Sequence, residues 1–129
     1  MTVGFSATQL LNGWLNVLRG TTFTGITAVY VKLHTGDPGV GAGNAAVGST
    51  TRPAITWAAA SGGSIAMTGT APSWTNGGTS ETITHISFWD AATAGNFLFS
   101  AALGTGKAWA STDTLTLTTQ TVAVTPVAA

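Results

Sequence analysis

Residues Glu81–Leu103 constrain the fold of this chain more than any other stretch. They read Glu-Thr-Ile-Thr-His-Ile-Ser-Phe-Trp-Asp, a short turn, then Asn-Phe-Leu-Phe-Ser-Ala-Ala-Leu. Side chains alternate between the two sides of an extended strand. Ile83, His85, Ser87 and Trp89 therefore share one side of the first arm, and Thr82, Thr84, Ile86 and Phe88 the other. In the second arm Phe97, Phe99 and Ala101 stand opposite Leu98, Ser100 and Ala102. β-Branched and aromatic residues at period two predict two strands. Ala91-Ala92-Thr93-Ala94-Gly95 between them predicts a hairpin loop in which Gly95 supplies a positive φ. Apolar groups on both sides of each arm predict a central hairpin covered on both faces, with Phe88 and Phe97 in the core.

The rest of the composition says what such a hairpin can belong to. The 129 residues suit one domain, with a helix at about 7–19 and a β-domain at about 26–125. Charged residues make up 6% and the formal net charge is zero, against about 25% charged in an average domain. No basic surface exists to follow a phosphate backbone, which argues against nucleic-acid binding. Low charge removes the repulsion that keeps copies apart, as suits a protein working in an assembly. With no cysteine, disulfides and thiolate metal sites are excluded. The N-terminus lacks a basic n-region, and Asn12, Gly13 and Asn16 interrupt its apolar stretch, so no signal peptide is expected. No run of about 18 apolar residues is present, so no membrane-spanning helix is expected.

In chain order, Ser6-Ala7-Thr8-Gln9 has the form of a capping box. Leu10, Leu11, Trp14, Leu15 and Leu18 then recur on one helical face, and Gly20 stands where a helix ends. That stripe is expected to pack on the β-core; the sharper alternative docks Trp14 on a partner subunit. Gly13 within the helix costs ~1 kcal/mol relative to Ala and points to a close approach there. Ala28–His34 predicts a strand ending in the turn Thr35-Gly36-Asp37-Pro38-Gly39. Val40–Thr51, small and aperiodic, predicts an exposed loop, mobile until it meets another copy or a shell. Arg52–Ala58 and Ser64–Thr68 predict strands, and Asn76-Gly77-Gly78 a turn. Gly104–Gly106 reads as a loop before a Thr-rich final strand starting at Asp113. In that strand Leu115 and Leu117 are out of phase with Val122 and Val124. Either a bulge near Thr119-Gln120 or burial on both sides would reconcile them.

The residues that carry chemistry are few. A metal site would need His34 and His85 to converge with Asp37, Glu81, Asp90 or Asp113, and no spacing brings them together. Lone histidines are more often hydrogen-bonded parts of the structure. No Gly-x-Ser-x-Gly elbow and no phosphate-binding glycine motif occurs. Trp57, Trp74 and Trp109 could stack sugars if exposed, although tryptophans are more often buried. No catalytic, cofactor-binding or metal-binding residue is expected, and no cofactor.

Several stretches nevertheless resemble, in order, a family of small virion proteins of tailed bacteriophages. These are Val29-Tyr30-Val31-Lys32-Leu33-His34-Thr35-Gly36-Asp37-Pro38-Gly39, Thr51-Arg52-Pro53-Ala54-Ile55-Thr56-Trp57 and Pro72-Ser73-Trp74. The hairpin arms Glu81–Asp90 and Gly95–Leu103 follow, then Thr112–Leu117. The resemblance covers about residues 28–120 and leaves out the N-terminal helix. It implies a mainly β fold, an antiparallel β-sandwich or barrel-like domain with one N-terminal α-helix, in a non-enzymatic structural protein of the virion assembled in the host cytoplasm. Lacking a stalk, repeat or coiled coil, the chain is expected to be a capsid decoration protein. A homo-oligomer is expected on the major capsid protein, with a trimer favoured. The alternatives are a minor tail or tail-fibre-associated protein bound to other tail proteins, and, of another class, a carbohydrate-binding module.

Overall fold

The computed structural model describes residues 3–124. Its frame is an antiparallel sheet of six strands curled into an open half-barrel. In chain order the strands are β1 (Val29–His34), β2 (Ala54–Trp57), β3 (Ser64–Thr68), β4 (Ser73–Thr75), β5 (Glu81–Trp89), β6 (Phe97–Trp109), β7 (Thr114–Thr116) and β8 (Thr121–Ala123). The large sheet runs β6-β5-β1-β2-β3-β8, and β4 with β7 forms a separate ribbon. The two sheet edges curl toward one another. Phe99 and Ala101 of β6 share a groove with Thr121 and Val122 of β8.

The Glu81–Leu103 hairpin occupies the place its pattern predicts. β5 is flanked by β1 and β6, and both arms pair in antiparallel register, Phe88 with Phe99 and Val31 with Phe88. Phe88 stacks on Phe99 at 4.1 Å between ring centroids, and Trp57 leans on Phe88 at 6.1 Å. Val31, Leu33, Ile86 and Phe88 are buried, with Trp74 and Trp109 completing the core. The ribbon's Trp74 and Leu115 share a cleft of about 580 Å³ with Leu33 and Ile86 of the sheet. Asp90 and Asn96 close the hairpin: the Asn96 N–H and side-chain amide donate to the two Asp90 carboxylate oxygens (2.6 and 2.8 Å). Gly95 takes the expected positive φ (73°), and Ala94 adopts one as well (53°).

β6 is longer than expected. Gly104–Gly106 lies inside the strand as a bulge, because Ile83 pairs with Lys107 while His85 pairs with Ala102. Phe97, expected in the core, is only half-buried, edge-on to Trp89. The phase break between Leu115 and Val122 is neither a bulge nor two-sided burial. The chain leaves the ribbon after β7 and rejoins the large sheet as β8, so the two pairs never share a strand.

The N-terminal helix begins with a π-helical turn, Ala7–Leu11, and continues as α1 (Asn12–Val17). Ser6 caps it, its hydroxyl accepting from the Gln9 N–H at 3.2 Å. The Ser6 N–H, which a full capping box would give to Gln9, donates instead to the Leu98 carbonyl of β6 (2.7 Å). Gly20, at φ 81°, ends the helix with paired bonds from Gly20 N–H to Val17 and from Thr21 N–H to Asn16. Gly13 is where the helix backbone meets the Phe23 ring, which accounts for the glycine.

The apolar stripe does not pack inward as expected. Leu10 is buried, but Trp14, Leu15 and Leu18 are 40%, 62% and 87% exposed. The face of Gly13 meets Phe23, and the core beneath β6 is already filled by the Phe88–Phe99 stack and Phe5. The stripe is therefore left facing solvent. Trp14 alone is tied back, edge-on to Phe5 at 5.4 Å.

Replacing Phe88 by Ala is expected to cost ~3–5 kcal/mol, and Phe97→Ala only ~1–2 kcal/mol because its ring is already half in water. Denaturant unfolding of the two variants checks the ranking, and equal losses would contradict it.

Candidate assembly surfaces

Residues with catalytic potential are occupied structurally. His34 and His85 stand directly opposite one another across β1 and β5. His34 is fully buried, with its Nδ1 2.8 Å from the Gly43 carbonyl and its Nε2 2.7 Å from Ser87 Oγ. A carbonyl can only accept, so Nδ1 carries the proton of the neutral ring and Nε2 accepts from the Ser87 hydroxyl. Trp89 Nε1 donates to the same Ser87 oxygen at 2.8 Å. Indole, hydroxyl, imidazole and loop carbonyl thus form one directed chain with every group satisfied. His85 Nδ1 lies 2.8 Å from its neighbour Thr84 Oγ1.

Glu81, Asp37 and Asp90 each accept from backbone N–H groups. Glu81 accepts from the N–H groups of Gly48 (2.8 Å) and Val47 (3.3 Å), and Asp37 from that of Gly39 (2.8 Å). Among the described residues no group of three His, Cys, Asp or Glu could hold a metal ion, and no helix is long and apolar enough to cross a membrane. Trp74 and Trp109 are buried, their Nε1 atoms donating to the Thr51 and Asp113 carbonyls. Trp57 is half-buried against Phe88. Two of the three rings considered for sugar stacking therefore present no free face.

The loop after β1 is not the open segment its composition predicts. It folds over the face of β1 and β5 that carries His34, Ser87 and Trp89. Thr35 N–H bonds to Asn44 O, Ala46 N–H to Leu33 O, and Gly41 and Gly43 both to Pro38 O, all within 3.0 Å. Gly41 and Ala46 are buried. A Cβ on Gly41 would lie 2.7 Å from both Phe97 and Trp89, and its φ is 102°. Small side chains let this backbone lie flat on the sheet, and the partner surface expected for it is supplied within the chain. Farther along, Asn76 is clamped: its amide donates to Trp109 O (2.8 Å) and Thr79 O (3.0 Å), and its oxygen accepts from Gly78 N–H (2.9 Å). Gly77 N–H donates to Gly48 O at 2.8 Å.

Arg52 has a role that reading the residues did not assign. Its guanidinium lies over the Trp89 ring at 3.8 Å and donates to the carbonyls of Ala91 (3.3 Å) and Ala94 (2.6 Å), anchoring the hairpin loop. Burial lowers its pKa, against the opposing effect of Asp90. The signal was available, since Arg52 is the one charged residue between Asp37 and Glu81.

An uncovered apolar surface remains on the N-terminal helix. The exposed helix face adjoins a groove of about 540 Å³ lined by Val3, Phe5, Val40 and Phe97. No charged residue occurs between Val3 and Leu18. The protein thus has no assembled reaction centre among its described residues, but it has a neutral, apolar surface beside a rigid β-frame. Residues 5–125 match the profile of the family described as Podophage GP4 fiber I protein gp80. The chain belongs to this fibre-protein family. Among curated proteins no relative matches. Membership makes the protein a non-enzymatic structural component of the virion fibre. Of the two virion locations the motifs left open, it favours the tail fibre over decoration of the head.

Two predictions follow from the covered face. The amides of Gly41, Gly43 and Ala46 are expected to exchange slowly in the isolated protein, and Gly41→Ala to cost ~2 kcal/mol or more. Hydrogen-exchange mass spectrometry and thermal melts read both; fast exchange would show that the loop opens. The second prediction concerns acid. Burial lowers the His34 pKa below the usual histidine value, the Gly43 bond opposes this, and Lys32, His85 and Arg52 add to the lowering. The unfolded imidazole titrates near pH ~6.5. Above that pH both states are neutral and the stabilisation is complete. As the pH falls below it, the unfolded chain takes up a proton that the folded chain resists, and stability declines. Chemical denaturation at pH 7.5 and 5.0 is expected to show this loss, and His34→Gln to flatten the difference.

Proposed function

We propose that this chain is a structural subunit of a podophage tail fibre that assembles with its own copies, a trimer favoured, and with neighbouring tail proteins. The observation that carries this reading is the fibre-family match over nearly the whole chain. The uncovered apolar helix beside a well-packed β-frame supports it, because such a face suits a subunit whose neighbours complete its burial. The low charge of the chain points the same way. A place on the major capsid protein has only the chain's size and lack of a stalk in its favour. A glycan-binding role loses support from the burial of Trp74 and Trp109.

Electron microscopy of virions with this protein gold-labelled is expected to put the label on tail appendages. Label on the head shell would overturn the fibre reading in favour of decoration.

A further inference from the structure

We propose that the exposed face of the N-terminal helix, with the groove beside it, is the seat of a second copy of this chain. For its biological setting this rests on the fibre-subunit reading. The surface has two parts. One is a ridge made by Trp14, Leu15, Val17 and Leu18, between 40% and 87% exposed. The other is the groove of about 540 Å³ lined by Val3, Phe5, Val40 and Phe97 together with the uncharged polar Ser6, Thr8 and Gln9. Phe5 joins them, touching Trp14 of the ridge while lining the groove. One molecule thus carries both an apolar projection and an uncharged hollow, so the ridge of one copy can enter the groove of the next, the head-to-tail contact that closes a ring such as a trimer.

Charge and area both fit a second copy. From Val3 to Leu18 there is no charged side chain, and Arg19, exposed at the end of the ridge, can turn its guanidinium to solvent, so the contact forms without burying an ion. The ridge residues with Val3 and Val40 are six large apolar side chains between 37% and 87% exposed, a density of exposed apolar surface that marks interaction sites. A stable interface takes ~800 Å² from each partner. The exposed Gly4, Ala7, Thr8 and Gln9 of the groove wall add to the contact. The helix is also fixed firmly enough to present this face. Its cap donates to β6, Gly13 rests on Phe23, and its far end closes on Gly20.

The test is the mass of the full chain in solution, by sedimentation equilibrium. The wild type is compared with the double variant Leu15→Lys, Leu18→Lys and with Val40→Lys. All three positions are well exposed, so each variant is expected to melt like the wild type. Wild-type protein is expected to self-associate, and the helix double variant to do so at least ~10-fold more weakly because two ammonium groups would then have to enter a groove that offers them no counter-charge. Val40→Lys is expected to weaken association through the groove. A wild type that stays monomeric, or a folded double variant that associates as the wild type does, overturns the proposal. Should the wild type be monomeric while the double variant fails to join virions, the ridge receives a different tail protein. That outcome overturns the second-copy proposal and leaves the fibre reading standing, whereas label on the head would remove the fibre reading without touching the sedimentation result.

Discussion

The stacked pair Phe88–Phe99 is the contact on which the rest of the structure depends. It requires β5 and β6 to pair in one register, because a slip by a single residue would leave the two rings on opposite faces of the sheet. It also fixes what may lie beside it. Trp57 approaches from β2, Phe5 from the N-terminal segment, and β1 is aligned through Val31 opposite Phe88. With β5 paired on both edges and packed on both faces, three separate parts of the chain are placed by one strand. They are the ribbon on the concave side, the glycine-rich loop on the other, and the helix at the β6 edge.

The opposite face of β5 adds a chain of hydrogen bonds to its ring contacts. A buried polar group without a partner would cost several kcal/mol. The chain Trp89–Ser87–His34–Gly43 leaves none of its members unpaired. Its last acceptor belongs to the loop, so the loop backbone is part of the solution to burying a histidine. The motif Leu33-His34-Thr35-Gly36-Asp37-Pro38-Gly39 thereby gains a physical reading: a buried ring, a turn fixed by Asp37, and a backbone small enough to return over that ring.

Period-two alternation made β1, β3 and the central hairpin legible, and capping chemistry located both ends of the helix. What escaped was whatever depends on a distant surface. Leu15 and Leu18 mark an apolar face, but amphipathicity does not say what covers it, and here the core was already full. The loop at Val40–Thr51 looked unstructured because its order lies in backbone hydrogen bonds and close approach, which leave no side-chain pattern. Gly104 and Gly106 read as a loop although they form a bulge within β6, where glycine permits the extra residues. Trp74 and Trp109 could not be assigned to core or surface until β4 and β7 were seen to pair over the sheet. The family motifs identified a virion protein, but residue types alone did not distinguish a shell from a fibre.

The clamp on Asn76 bears on how such a protein ages. Asparagine followed by glycine is the sequence most prone to spontaneous deamidation, in which the glycine nitrogen attacks the side-chain carbonyl carbon to form a succinimide. In Asn76-Gly77 that nitrogen is engaged by the Gly48 carbonyl, and the carboxamide is held at both ends by Trp109, Thr79 and Gly78. Attack would require breaking these bonds and turning a buried side chain. A phage particle outside a cell cannot resynthesise its subunits, so shelter of this bond lengthens the chemical lifetime over which the particle keeps its fibres intact.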